Sequence, residues 1–134
     1  MMLLITKALA MLLVSIFLVP LTSFAGRLSE ADELDRVIKK INERQSKNLK
    51  MFEKKTKAYF FEAQKPETIG ALLKEFSPGD AVTIIVISNL SKKSYQDIVK
   101  MRKSGKGWQD ITEKLGVKLK NVLKDVKDFR SGIG

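Results

Sequence analysis

The residue types that most often carry catalysis or bind metals are scarce in this sequence. It contains no His and no Cys. This excludes an imidazole acid–base catalyst, a thiol nucleophile, a disulfide and the usual kinds of zinc site. It also has no Gly-rich phosphate loop and no Gly-x-Ser-x-Gly nucleophile elbow. Catalysis would therefore have to rest on carboxylates or on a Ser–Lys pair.

The acidic side chains available for catalysis in the last third are Asp97, Asp110, Glu113 and Asp125. A hydrolase with paired carboxylates needs two acids in one cleft with separated pKa values. Asp97 and Asp110 stand where helix starts favour an acid in any case. A Ser–Lys dyad remains open, although no local pattern selects one. We therefore predict that the protein is not an enzyme and that it has no catalytic, metal-binding or cofactor-binding residues.

Positive charge is the chemical property that stands out. The 134 residues include 25 Lys+Arg and 15 Asp+Glu, a formal net charge of +10, and residues 92–134 hold 12 of the basic and five of the acidic groups. Clustered positive charge attracts polyanions. The candidate polyanion-binding residues are Lys106, Lys118, Lys120, Asn121 and Lys124. A merely solvated surface is the alternative, and the excess of Lys over Arg disfavours bidentate phosphate or base recognition.

Residues 1–25 have the three parts of a secretory signal peptide. Lys7 supplies a positive charge, residues 8–21 are almost wholly apolar, and Ser23-Phe24-Ala25 resembles a cleavage site. We expect cleavage near Ala25 and export to the periplasm or the medium, with a retained membrane anchor as the alternative. The mature chain, residues 26–134, is then a single domain with net charge +9, and no later segment is apolar enough to span a membrane.

Apolar spacing predicts an all-α fold for the mature chain. Leu34, Val37, Ile38 and Ile41 form one apolar stripe. No Gly or Pro interrupts residues 28–65, which predicts one long amphipathic helix over about 29–64, or two helices with a break near 46–48. The candidates for a partner-binding or self-association face on it are Phe52, Tyr59, Phe60 and Phe61.

A compact helical part is predicted over about 66–130. Ser77-Pro78-Gly79-Asp80 is a strong helix start, but residues 82–87 form a β-branched run that strand propensity would favour. We expect a buried central helix there, because the cap is good and no second strand is evident. The predicted structural core of the last third comprises Trp108, Ile111, Leu115, Gly116 and Val122. Residues 131–134 are expected to fray.

Residues 108–129 resemble a helix-turn-helix. The matching residues are Ile111, Leu115, Gly116, Val117 and Val122. Thr112 replaces the usual small residue, and Asp125 stands where an apolar residue is expected. In DNA-binding proteins of this kind the second helix enters the major groove. The resemblance would place Lys118, Lys120, Asn121 and Lys124 against the DNA.

The stretch Gly105-Lys106-Gly107-Trp108 followed by Ile111 and Leu115-Gly116-Val117 resembles a C-terminal Gly-Lys-Gly-Trp-Gly-x-Ile-Ala-x-x-Leu-Gly-Ile/Val motif. This motif is found in an uncharacterised family of small exported bacterial helical proteins. Gln109 and Thr112 depart from it, and Pro78-Gly79-Asp80 is similar to a Pro-Ala/Gly-Asp upstream in that family. The resemblance implies an exported helical domain and no known activity.

The sequence thus predicts a non-enzymatic exported binding module with a basic C-terminal surface. Its partner would be a protein or an anionic surface of the envelope. Nucleic-acid binding through the helix-turn-helix-like segment is the alternative.

Overall fold

The structure, a computed structural model, describes residues 28–134, so the proposed signal peptide at 1–25 lies outside the described residues. Within the described part the chain is all-helical and has no strand, which confirms the predicted fold class. The seven helices of this part are α1 Glu30–Gln45, α2 Leu49–Tyr59, α3 Pro66–Glu75, α4 Pro78–Ser91, α5 Tyr95–Lys103, α6 Trp108–Lys114 and α7 Leu119–Ile133.

Two helices, α1 and α2, replace the single long helix expected over 29–64. The break lies at 46–48, the alternative that the sequence left open. Asn48 accounts for the new start, because its side-chain oxygen accepts a hydrogen bond from the N–H of Met51 at 3.2 Å and so caps α2. The Ser29 hydroxyl caps α1 in the same way, at 3.1 Å from the N–H of Asp32.

The β-branched run at 82–87 is helical, as expected, and lies within α4 at the centre of the fold. Every residue from 81 to 88 is buried, and α4 contacts α1, α2, α3, α5 and α7. A helix that is apolar all round must be covered on all sides. The Ser77 hydroxyl caps this helix, accepting from the N–H of Asp80 at 3.4 Å. Burial in the core thus overrides the strand propensity of the Val and Ile side chains.

The C-terminal helix extends further than expected. Fraying was predicted at 131–134, but α7 continues through Gly132 to Ile133. The Ile133 side chain packs against the core, and its carbonyl accepts a hydrogen bond from Lys55 Nζ at 3.2 Å. These contacts with the rest of the fold offset the weak helix propensity of Gly132.

Aromatic side chains join α2 to α7. The ring centroid of Phe129 lies 6.0 Å from Phe52, 5.0 Å from Tyr59 and 5.3 Å from Phe60. Phe52 and Phe60 are buried in the core, whereas Tyr59 and Phe61 are 45% and 70% exposed. The prediction of one partner-binding face is therefore wrong for Phe52 and Phe60, and only the other two aromatic residues reach solvent.

Candidate polyanion-binding site

The turn between α6 and α7 depends on Gly116. This residue has φ +70°, a left-handed conformation in which only glycine avoids a steric penalty. Its N–H donates to the Glu113 carbonyl at 3.2 Å, and the N–H of Val117 donates to the Thr112 carbonyl at 2.9 Å. These two bonds form the Schellman turn that the Leu-Gly-Val sequence suggests. The turn delivers Lys118 to the N-cap of the next helix.

A second turn of the same kind joins α5 to α6. Gly105 has φ +95°, and the N–H of Lys106 donates to the Met101 carbonyl at 3.2 Å. Gly107 then stands at the N-cap of α6. Lys106 is thereby held in the short connection just before α6.

α6, the turn and α7 follow one another as helix, turn and helix over the segment 108–129. The predicted core residues Trp108, Ile111 and Val122 are buried, Leu115 is partly buried against them, and Gly116 is exposed in the turn. The apolar side of the segment is therefore packed against the rest of the fold, and its polar residues lie on the surface.

The candidate lysines of α7 lie at its start. Lys118 occupies the N-cap, Lys120 and Asn121 lie in the first turn, Lys124 lies one turn further on, and all four are exposed. α7 has no side-chain cap and no acidic residue in its first turn. The unpaired N–H groups at a helix start carry partial positive charge. This charge adds to that of Lys118 and Lys120.

Further along α7, carboxylates neutralise the lysines. Lys124 Nζ lies 2.9 Å from Asp128 Oδ2; a hydrogen bond and the negative charge of that carboxylate raise the pKa of Lys124. Lys127 Nζ lies 3.2 Å from Glu33 Oε2 of α1. The structure thus separates Lys124 from the other candidates, because its charge is already paired.

Lys106 lies beside Lys114, a residue that sequence reasoning did not select. The proximity of the positively charged Lys114 side chain lowers the pKa of Lys106, and Asp110 opposes the shift. We call Lys106, Lys114, Lys118 and Lys120 the basic end. Within residues 28–134, none of these four lysines forms an ion pair with a carboxylate.

An open groove of about 790 Å³ lies between the start of α1 and the α6–α7 turn. Lys118 and Lys120 line it, together with Glu30 and Glu113, but Lys106 does not. Sequence reasoning missed the contribution of Glu30, because 88 residues separate it from Lys118 along the chain. The groove therefore carries both signs of charge, and the lysines of the basic end reach solvent around it.

A separate polar cluster joins α4, α5 and α6. The Arg102 guanidinium lies 4.1 Å from the centre of the Trp108 ring, a cation–π contact. Burial raises the pKa of the Asp80 carboxyl; Arg102 and a hydrogen bond with Ser77 oppose this, and Asp35 adds to it. Trp108 Nε1 is buried, with no hydrogen-bond partner in the described part of the chain. The cluster therefore brings a carboxyl, a guanidinium and an indole together where three helices meet.

The four acidic residues considered for catalysis lie on α5, α6 and α7. Glu113 lines the groove, and Asp97, Asp110 and Asp125 do not. In residues 28–134 there is no group of three or more acidic side chains placed to hold a metal ion.

Comparisons with protein-family models, with curated proteins and with solved structures found no match to this chain. The family resemblance at 105–117 and the helix-turn-helix resemblance at 108–129 thus stay predictions. Among the described helices, none combines the length and the apolar character that crossing a bilayer requires.

Proposed function

We propose that the chain is an exported, non-enzymatic binding protein of the periplasm or cell envelope, which holds an anionic partner at its basic end. The observation that carries the proposal is the crowding of Lys106, Lys114, Lys118 and Lys120 around α6 without ion-paired carboxylates. α6 has seven residues, so its ends are about 10 Å apart. Lys114 lies on this short helix, Lys106 lies just before it, and Lys118 and Lys120 lie just after it. Positive charge placed this closely raises the local potential, which an anionic partner relieves.

Ion pairing distinguishes three other lysines of the last third from those of the basic end. Lys103, Lys124 and Lys127 lie 2.9, 2.9 and 3.2 Å from carboxylate oxygens. These exposed pairs reduce the net charge of the surfaces around them, although each stabilises the fold only slightly. These three lysines therefore offer a partner less uncompensated charge than the lysines of the basic end do.

Salt-dependent binding tests the proposal. Fluorescence anisotropy of the mature protein would be measured with labelled duplex DNA and with labelled polyglutamate at increasing salt. Replacing Lys118 and Lys120 with Gln should reduce the salt slope for DNA by about 2, roughly one for each phosphate that is no longer neutralised. Replacing Lys39 and Lys40, exposed lysines of α1, is the matched control and should leave the slope unchanged. An equal slope in both double variants would reject the basic end as the binding site.

Nucleic-acid binding is the second candidate, because α6, the Gly116 turn and α7 have the helix-turn-helix order. In a DNA reader, Asn121 at the exposed start of α7 would contact base edges. Asn121→Ala should then change the preference between duplexes of different sequence while leaving the salt slope intact. If all duplexes and polyglutamate bind alike and the variant behaves as wild type, binding depends on charge alone.

Export is tested independently of binding. Mass spectrometry of the protein recovered from an expressing cell should find a new N-terminus at Gly26, because cleavage is expected after Ala25. An intact N-terminus on a cytoplasmic protein would contradict export and would favour the nucleic-acid alternative.

A further inference from the structure

Hydrogen bonds hold two connections together at one end of the molecule. Gln64 Nε2 donates to Asn89 Oδ1 at 2.9 Å and to Ser88 Oγ at 3.4 Å, and Ser88 Oγ donates to the Lys93 carbonyl at 2.7 Å. The α2–α3 connection is therefore fixed to the end of α4. We call residues 59–65 and 88–93 together the tip.

The tip exposes three large apolar side chains to solvent. Tyr59, Phe61 and Leu90 are 45%, 70% and 37% exposed, and Phe61 is the most exposed of the large apolar side chains that the structure describes. A Phe so far out of the core keeps most of its apolar surface in water, where it stabilises nothing. Such side chains bind well to the boundary between lipid headgroups and acyl chains.

Basic side chains accompany these apolar ones. Lys65, Lys92 and Lys93 are exposed, and the tip contains one acidic residue, Glu62. The tip is therefore net positive at neutral pH. Each lysine near an anionic bilayer adds a favourable electrostatic attraction.

Lys92 has an unusual backbone conformation. It ends α4 with φ 61° and ψ 20°, in the left-handed region. Glycine is the usual residue at such a position, because a side chain is strained there. A non-glycine residue held in this region suggests a role for its side chain rather than for its backbone.

We propose that the tip docks onto an anionic lipid bilayer. Phe61 and Leu90 enter the interfacial region, and Lys65, Lys92 and Lys93 contact headgroup phosphates. The inference rests on the proposed function only in placing the protein at the cell envelope.

The tip and the basic end lie far apart. The tip residue Tyr59 contacts Phe129 near the end of α7, whereas Lys118 stands at the start of that 15-residue helix. With about 1.5 Å of rise per residue, the two regions are roughly 15–20 Å apart. A protein docked by its tip therefore leaves the basic end free for its own partner.

Co-sedimentation with vesicles tests the proposal. The purified secreted protein would be mixed with vesicles of equal parts phosphatidylglycerol and phosphatidylcholine, and with pure phosphatidylcholine as reference. The wild type should partition preferentially onto the anionic vesicles. Lys92→Gly should lower the partition coefficient about fivefold, and Phe61→Ser about tenfold.

Matched controls test whether vesicle binding depends on the tip or on any exposed lysine or apolar side chain of the protein. Lys47→Gly removes one exposed lysine from the α1–α2 connection, and Met51→Ser removes a side chain that is 46% exposed near the start of α2. Both should bind vesicles as the wild type does. If Lys47→Gly reduces binding as much as Lys92→Gly, the tip is not the docking surface.

A spectroscopic variant reports insertion directly. The indole introduced by Phe61→Trp should emit at shorter wavelength on anionic vesicles, and brominated lipid should quench its fluorescence. The buried Trp108 should not respond to either. No shift and no quenching would overturn the proposal. If vesicle binding is lost in Lys118→Gln/Lys120→Gln and kept in Lys92→Gly, the basic end and not the tip binds the vesicles, and the proposal is wrong. If the protein binds DNA or polyglutamate but not vesicles, the docking proposal is also wrong and the basic end remains the binding site.

Discussion

A Cβ atom on Gly79 of α4 would lie 2.7 Å from the carbonyl oxygen of Ile38 on α1. The N–H of Gly79 also donates to Asn42 Oδ1 at 2.7 Å. The first turn of α4 is therefore packed directly against the backbone of α1, at a distance that only glycine allows. The Ser77-Pro78-Gly79-Asp80 segment both starts the central helix and fixes its position.

Gly79→Ala should lower the free energy of unfolding by about 2–3 kcal/mol, because the new methyl group must push the two helices apart. Gly70→Ala is the control, since its Cβ would be 3.8 Å from the nearest atom, Glu53 Oε1. That change should raise the stability by about 0.5–1 kcal/mol through helix propensity. Urea denaturation measures both, and equal effects would contradict the close packing.

Lys92→Gly should raise the free energy of unfolding by about 1 kcal/mol, because it removes the strain of a side chain at positive φ. The reverse change, Gly116→Ala, should lower it by a similar amount; no atom lies within 4 Å of its added Cβ, so its effect is conformational. Thermal unfolding of the two variants checks the signs. A loss of stability in Lys92→Gly would show that the Lys92 side chain supports the fold.

Asp80 should make stability depend on pH. Burial raises its pKa above the ordinary 3.8, so the folded protein keeps a proton that the unfolded chain has already released. The free energy of unfolding therefore falls as the pH rises from about 3.8 through the raised pKa. Asp80→Asn removes this loss, and its stability relative to wild type should increase across that window. Denaturation curves at several pH values measure the difference in free energy of unfolding between Asp80→Asn and the wild type. A difference that does not change with pH would contradict the prediction.

Phe129 should be among the most sensitive positions in the fold. It is fully buried and stacks on Phe60 at 5.3 Å. Phe129→Ala should lower the free energy of unfolding by about 3–5 kcal/mol. Phe61→Ala should change it by no more than about 0.5 kcal/mol, since that ring is mostly in solvent. Comparable losses in the two variants would mean that Phe61 belongs to the core.

Local signals in the sequence predicted much of the fold. Ser77 caps a helix as expected, and Ser29 and Ser94 also cap helices, because a cap depends on residues only two or three positions away. Gly116 adopts the left-handed turn for the same local reason. The buried helix at 82–87 was predictable from its cap despite the strand propensity.

The candidate site depended on tertiary contacts that no local pattern encodes. Lys127 and Glu33 are 94 positions apart, so the pairing that removes charge from the middle of α7 follows from the packing of α1. The tip is likewise formed by hydrogen bonds between segments 24 and 25 residues apart.

The central claim is that the lysines of the basic end, and not the ion-paired lysines further along α7, bind the anionic partner. The most direct measurement compares the salt slope of DNA binding in Lys106→Gln/Lys114→Gln with that in Lys124→Gln/Lys127→Gln, two variants that lose the same charge. We predict that the first reduces the slope by about 2, and that the second changes it much less. A larger effect in the second variant, or no salt-dependent binding by the wild type, would contradict the account.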